Sequence, residues 1–175
     1  IAPHEITSAA VHKVGTTDCR GTLRGVRFRN RPAHADQLHV EIWCGGENLA
    51  RDAGTYLYNA QPPWQNALDT TRVHNTITVD GQDQMQRVSR FLWLDQAQAV
   101  WLVSDKKDNI TATHNGYRKL GILHKRSLEF RPPHGFLITD SLSPTSADPS
   151  EHVYRLHWLL PDWEWTHDGQ QISLS

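Results

Sequence analysis

A chain of 175 residues is close to the usual size of one domain and is long enough to bury a core of its own. Hydrophobic residues make up 38% and charged residues 21% of it, which argues against intrinsic disorder, and no apolar run approaches the roughly 20 residues of a membrane span. The formal net charge of −1 offers no basic surface for nucleic acid.

The two ends of the chain indicate a piece of a longer protein. Residues 1–4 (Ile-Ala-Pro-His) contain no initiator Met and no signal-peptide pattern, so we expect a leader to have been removed or the chain to be a fragment. Residues 170–175 show a strand-like alternation that simply stops, which favours the fragment.

Short segments of alternating apolar and polar residues recur along the chain between turn signals, and no window sustains helical spacing. The turn signals include Asp80-Gly81, Pro132-Pro133 and Asp168-Gly169. The predicted strands occupy residues 38–42, 76–79, 88–94, 99–103, 110–114, 122–130, 136–142, 153–160, 164–166 and 172–174. The pattern predicts one all-β domain over residues 1–175, an antiparallel sandwich of roughly ten to twelve strands.

One long stretch, residues 55–73, has no clear strand signal. Loops of more than about 15 residues within compact domains are commonly functional. This stretch contains Trp64, which we interpret as a candidate sugar-stacking residue, and Arg72, which offers a cation for an anionic sugar. Packing or a surface salt bridge are the plain alternatives for these two side chains.

Three possible metal ligands, His34, Asp52 and His74, stand next to small or turn residues at predicted strand ends. Two imidazoles and one carboxylate suit zinc and leave a fourth position for water. Their separations of 18 and 22 positions are typical of neighbouring strands rather than one helix face. Eleven histidines make such a set easy to pick by chance, so strand-end residues with ordinary hydrogen bonds are the alternative.

Five sequence blocks in order along residues 31–126 resemble the heparinase II/III-like family. They are Arg-Pro-Ala-His-Ala-Asp-Gln-Leu at 31–38, Asp-Ala-Gly-Thr-Tyr-Leu-Tyr at 52–58, Thr-Arg-Val-His-Asn-Thr at 71–76, Val-Asp-Gly-Gln-Asp-Gln at 79–84 and Gly-Ile-Leu-His-Lys-Arg at 121–126. The resemblance implies a bacterial polysaccharide lyase built from an α/α toroid and a β-sandwich. The present chain resembles the sandwich, with the toroid expected upstream in the same protein.

The resemblance also implies roles for particular residues. His34, Asp52 and His74 fall where zinc-containing members place their ligands, so a Zn²⁺ cofactor is expected. Some members have a catalytic histidine two positions before the first ligand, where this chain has Pro32. Tyr56 or Tyr58, one of the two at most, matches the region where related lyases use a sandwich-domain tyrosine.

The expected substrate is an acidic polysaccharide that contains uronic acid, such as a glycosaminoglycan or alginate. A lyase neutralises the uronate carboxylate, removes the C5 proton and protonates the leaving C4 oxygen. The resemblance places most of these groups on the toroid, so the isolated chain is predicted to be inactive. His124, on the strand with Arg126, is a candidate for lining the substrate cleft.

Two other classes of function remain open at this point. The chain suits a non-catalytic carbohydrate-binding or interaction module stabilised by zinc, because it contains no complete acid/base pair. It also suits a metal-dependent barrel enzyme in which the three predicted ligands hold a catalytic ion. Cys19 and Cys44 are compatible with a disulfide or with two buried thiols. The family resemblance favours a periplasmic or secreted location.

Overall fold

Two four-stranded antiparallel sheets form the centre of the fold. The computed structural model describes residues 9–57, 60–61, 64, 67–89, 92–146 and 150–175. The first sheet has the spatial order β1 (Val11–Gly15), β2 (Cys19–Arg24), β3 (Val40–Cys44) and β4 (Glu47–Ala50). The second has the order β11 (Gly135–Pro144), β10 (Ile122–Arg131), β9 (Asn109–His114) and β8 (Ala99–Leu102).

The remaining strands of the described residues form three antiparallel pairs. These pairs are β5 (Ile77–Val79) with β12 (Tyr154–Leu156), β6 (Gln86–Ser89) with β7 (Leu92–Leu94), and β13 (Trp165–His167) with β14 (Ile172–Leu174). Helical structure in the described residues is limited to short 3-10 turns at Ala67–Asp69, Thr71–Val73 and Arg118–Leu120. None of their helices is long and apolar enough to cross a membrane.

The two main sheets pack face to face through an apolar core. Leu23 and Val40 of the first sheet belong to one buried cluster with Leu128 and Phe130 of β10. Gly21 allows the sheets to approach closely, because a Cβ there would lie 2.8 Å from a ring carbon of Phe136. This arrangement is the antiparallel β-sandwich predicted from alternation, and the prediction of the fold class is confirmed.

Residues in every second position of β10 point into the sandwich, but they differ in character along the strand. Leu128 and Phe130 are apolar, whereas His124 and Arg126 are polar and yet fully buried. The inner face of this strand therefore continues from the apolar core into a polar interior beneath the candidate site.

Several predicted elements differ from the structure. The sequence analysis did not predict β1, β2 or β4, whose apolar residues are few and interrupted by charged or glycine residues. The single strand predicted at 88–94 corresponds to the end of β6 and the whole of β7, and residues 90 and 91 fall outside the described part. Fourteen strands are formed by the described residues, more than the ten to twelve expected, because several are only three or four residues long.

The two cysteines lie opposite each other on adjacent strands. Cys19 of β2 and Cys44 of β3 are register partners and are joined by a disulfide bond, which selects one of the two states that the sequence left open. The bond ties two neighbouring strands of the first sheet at the end remote from Val40.

We expect Leu128→Ala to lower the free energy of unfolding by about 2–5 kcal/mol, because it removes buried methyl groups from the contact between the sheets. Leu137→Ala, on the adjacent β11, is the matched control, since that side chain is 44% exposed and its loss should cost about 0.5 kcal/mol. Urea denaturation followed by tryptophan fluorescence measures both. Equal losses for the two variants would contradict the packing described.

Candidate metal centre

Histidine and aspartate side chains from three separate segments meet at the edge of the first sheet. Asp52 follows β4, and His74 follows the 3-10 turn Thr71–Val73. The Oδ2 atom of Asp52 lies 3.2 Å from Nδ1 of His74 and 3.4 Å from Nε2 of His39. The rings of His34 and His74 are 5.3 Å apart between centroids. His74 is therefore the centre of the cluster.

Two triads within the described residues bring their potential ligand atoms within 4.8 Å of one another: His34, Asp36 and His74, and His39, Asp52 and His74. Each contains two of the three ligands predicted from the sequence, and His74 belongs to both. The proximity of His39 and Asp36 to these ligands was not predicted. The signal was present, since both belong to the segment 34–39 that contains His34.

The hydrogen bonding of His39 makes it a poor metal ligand. The backbone N–H of Asn75 donates to Nδ1 of His39 at 2.9 Å, so a neutral ring carries its proton on Nε2. Burial lowers the pKa of His39 to about 3, which keeps the ring neutral over the physiological range. No lone pair is then left on Nε2 for a metal, and this nitrogen instead faces the carboxylate of Asp52.

His74, unlike His39, is suited to bind a metal. Its side chain is fully buried, and within the described part of the chain neither ring nitrogen makes a hydrogen bond, although Nδ1 lies 3.2 Å from Oδ2 of Asp52. Leaving a buried polar group unsatisfied costs about 1–3 kcal/mol. A neutral imidazole always has one nitrogen with a free lone pair, so His74 presents an unused ligand atom inside the cluster.

The two carboxylates near His74 differ in their ion-pair and hydrogen-bond partners. Asp36 forms an ion pair with Arg24, with Oδ2 2.7 Å from Nε. Asp52 forms no ion pair with a lysine or arginine among the described residues, and its other oxygen accepts from the N–H of Gly54 at 2.6 Å. The His74 ring and this N–H hold the pKa of Asp52 well below its usual range, so it is an anion at neutral pH. Asp52 is thus the carboxylate more available to a cation.

His34 lies at the mouth of the cluster and is half-buried. Its Nε2 is 3.4 Å from the hydroxyl of Thr55, and burial lowers its pKa, which favours the neutral form that ligates metals. The pocket at this mouth is lined by one cation, Arg24, and by the carboxylates of Asp36, Glu41 and Asp52. Its net negative charge suits a cation.

Comparison with known proteins assigns the chain. The family model described as "Heparinase II/III-like, C-terminal" matches residues 22–175. The chain belongs to this family. It is 29% identical over 133 residues to a heparin-sulfate lyase of Pedobacter heparinus and 28% identical over 143 residues to one of Bacteroides stercoris. These matches cover 74% and 79% of the chain but only 18% and 19% of the relatives.

A solved heparinase III structure has the same fold. It superimposes with a TM-score of 0.69 at 23% sequence identity, covering 94% of this chain and 25% of that protein. The chain therefore corresponds to about a quarter of that heparinase III. The predicted membership of the heparinase II/III-like family is confirmed by the family match.

The other predicted site residues of this heparinase-like domain lie in different settings. Tyr56 and Trp64 are each 63% exposed, and Arg72 is exposed on the 3-10 turn that leads to His74. Tyr58 lies outside the described residues. None of the three described side chains belongs to the metal triads, so their expected roles toward a glycan remain predictions.

His124 lies in the interior instead of at the glycan-facing surface expected from the sequence. Its side chain is fully buried, with Nε2 at 2.6 Å from Oδ1 of Asp140 and Nδ1 at 3.0 Å from Nε2 of His114. Alternation along β10 predicted correctly that it shares a face with Arg126, but that face is the inner one.

We expect the stability of the domain to fall as the pH drops from about 6.5 toward 4.5. Burial, reinforced by His124 and Arg126, lowers the pKa of His114 well below its usual value, and burial also lowers that of His124. The unfolded chain then binds protons that the folded chain does not, which costs about 1.4 kcal/mol per pH unit for each such histidine.

His114→Gln should reduce the slope of the free energy of unfolding against pH by about the contribution of one histidine. His134→Gln is the control, because it removes an imidazole that is exposed in the folded chain. Urea unfolding at a series of pH values measures the slopes. Identical slopes for wild type and His114→Gln would show that His114 is not held neutral by the fold.

Proposed function

We propose that this chain is the β-sandwich part of a polysaccharide lyase that cleaves a uronic-acid-containing glycan by β-elimination. The observation that carries the proposal is the family match over residues 22–175, together with relatives named heparin-sulfate lyases. Both relatives come from bacteria, and their names favour a glycosaminoglycan over alginate as the substrate class. The sandwich would wall the glycan cleft, with Tyr56 or Tyr58 as its candidate catalytic contribution.

A helical toroid of the same protein is the partner that this function requires. The chain spans less than a fifth of the two relatives, which leaves room for most of the acid/base groups elsewhere in such an enzyme. Removal of the C5 proton and protonation of the C4 oxygen need groups on both sides of the sugar. Exposed Tyr56 and Arg72 supply at most part of this set.

We propose further that His34, Asp52 and His74 hold a zinc ion. The donor types suit zinc, and the unpartnered ring nitrogens of buried His74 favour a ligand there. Asp52 is preferred to Asp36, which already pairs with Arg24, and His34 to His39, whose Nδ1 accepts a hydrogen bond. When bound, zinc would supply a positive charge, and its bonds to the three ligands would connect three segments of the chain.

The zinc is proposed to act mainly in structure. The three ligands come from the segment before β3, the end of β4 and the segment before β5, and these are separated by 18 and 22 positions. Ordering such loops costs conformational entropy, which a shared ion offsets. Its location beside the acidic pocket also lowers the negative charge that an anionic glycan would meet.

A non-catalytic carbohydrate-binding module is the second candidate. The exposed aromatic surfaces of Trp64 and Trp165, 63% and 67% accessible, favour it, because flat aromatic rings stack on sugars. Such a module, immobilised on a column, would retain heparan sulfate without forming unsaturated product. The Trp64→Ala variant would shorten the retention time.

Metal analysis after supplying zinc should find about one zinc ion per wild-type chain and little in His74→Ala or His34→Ala. His39→Gln should retain its zinc, because we assign that ring to Asp52 and not to the metal. His134→Ala, at an exposed histidine, is the control and should match wild type. Zinc-free wild type, or equal zinc in wild type and His74→Ala, would refute the site.

We expect no cleavage of heparan sulfate or alginate by the isolated 175-residue chain and cleavage by the full protein encoded in the same reading frame. The measurement is the ultraviolet absorbance of the double bond that β-elimination creates. Turnover by the isolated chain would contradict the assignment of the main acid/base groups to the toroid. Failure of the full protein on every uronate polymer would contradict the lyase function.

A further inference from the structure

Arg126 is fully buried and uses its guanidinium to connect the two sides of the polar interior. Nε and Nη2 donate to the two carboxylate oxygens of Asp140 at 2.7 and 2.9 Å. Nη1 donates to the backbone carbonyls of Leu38 and Asn75 at 2.8 and 2.6 Å. A planar guanidinium holds such a set in one geometry, which a lysine cannot reproduce.

The two carbonyls belong to the residues next to His39 and His74. Leu38 directly precedes His39 and has a φ of 58°, a left-handed conformation that is strained for leucine and needs support from its surroundings. Asn75 directly follows His74, and its own N–H donates to Nδ1 of His39. Arg126 thus fixes the backbone on either side of the candidate metal centre without touching a ligand.

Asn75 extends this control to the third segment. Its side-chain amide donates to the carbonyl of Arg51 at 2.9 Å, immediately before Asp52, and to that of Val40 at 2.9 Å. The carbonyl of Asn75 that Arg126 binds also accepts from the N–H of Val40 at 3.3 Å. A substitution of Arg126 would therefore affect the backbone beside Asp52 as well as that beside His74, because Asn75 connects the two segments.

Asp140 orients Arg126 from the opposite side and is itself held. Nε2 of His124 donates to it at 2.6 Å, and Nδ1 of His124 accepts from His114 at 3.0 Å. His114 accepts in turn from the N–H of Gly116 at 3.0 Å, so every donor along this line points toward the carboxylate. His124 and Arg126 hold the pKa of Asp140 down, at about 2, although burial opposes them.

We propose that Arg126, oriented by Asp140, is a positioning residue for the metal centre, setting the separation of the backbone segments that carry His74 and Asp52. This inference rests on the zinc site proposed above. An ion held by three ligands from three segments binds more tightly when the segments are already in place, because less ordering then accompanies binding. The alternative is that the buried pair stabilises the sandwich as a whole and has no particular effect on zinc.

Zinc affinity and fold stability, measured separately, distinguish these two roles. Zinc dissociation constants come from competition with a chromophoric chelator at 25 °C, and stability comes from urea unfolding of the zinc-free chain. Arg126→Lys keeps the charge but loses the fork, and we expect its zinc dissociation constant to rise about tenfold. Asp140→Asn keeps the guanidinium but removes the charge that orients it, and we expect a smaller rise, about threefold.

Leu128→Ala is the matched control, because Leu128 is buried on the same face of β10 two residues away and contacts the apolar core instead. It should lose stability yet bind zinc within twofold of wild type, since a folded chain binds its ligand irrespective of its margin of stability. Zinc binding within twofold of wild type in both Arg126→Lys and Asp140→Asn overturns the inference.

The remaining outcomes also decide the matter. If Arg126→Lys does not fold, the zinc affinity of Asp140→Asn alone tests the positioning role. If neither variant folds, Arg126 and Asp140 stabilise the sandwich as a whole, and the inference is overturned. A wild-type chain that binds no zinc refutes the proposed metal site itself, whereas tight wild-type binding with unaffected variants refutes only the role of Arg126.

Discussion

The geometry of the candidate site depends on the hydrogen bonds of a single buried amide, Asn75. Its side-chain nitrogen donates to the carbonyls of Val40 and Arg51, and its side-chain oxygen accepts from the N–H of Leu159 at 2.6 Å. Its backbone N–H binds the ring of His39. These bonds join β3, the end of β4 and the segment after β12, so the elements that carry the site share one connection. A side chain with all of its amide groups used inside the protein is strongly fixed in position.

The polar interior behind Asn75 occupies space that apolar packing would otherwise fill. Replacing a buried ion pair such as Arg126–Asp140 by hydrophobic residues is often neutral or stabilising, so the pair is weak evidence for stability. Four N–H groups of Arg126 nevertheless donate to defined acceptors, two of which are backbone carbonyls beside the site. The inner face of β10 thus divides the sandwich into an apolar part that holds the sheets together and a polar part that defines the geometry of the site.

Period-two alternation and turn residues predicted the sandwich, because these signals act locally, whereas the grouping of His34, Asp52 and His74 as ligands was implied by the family resemblance. They did not predict β1 and β2, which pair with each other and are joined to the sheet by the pairing of β2 with β3. The burial of His124 was equally inaccessible, since alternation assigns a shared face but not which face is inside. The distinction between His39 and His34 depends on one backbone donor, Asn75, that approaches from 36 residues away.

Charge and hydrogen bonding at the site both support the proposed metal ion. The pocket beside His34 has three carboxylates against one guanidinium, an arrangement that would repel an anionic glycan. The neighbouring His74 is fully buried, and its two ring nitrogens make no hydrogen bond to any residue that the structure describes. Water could satisfy the nitrogens but would leave the negative charge unchanged. The proposed divalent cation, bound to His74 and Asp52, would take the lone pair of one ring nitrogen of His74 and also offset the carboxylates.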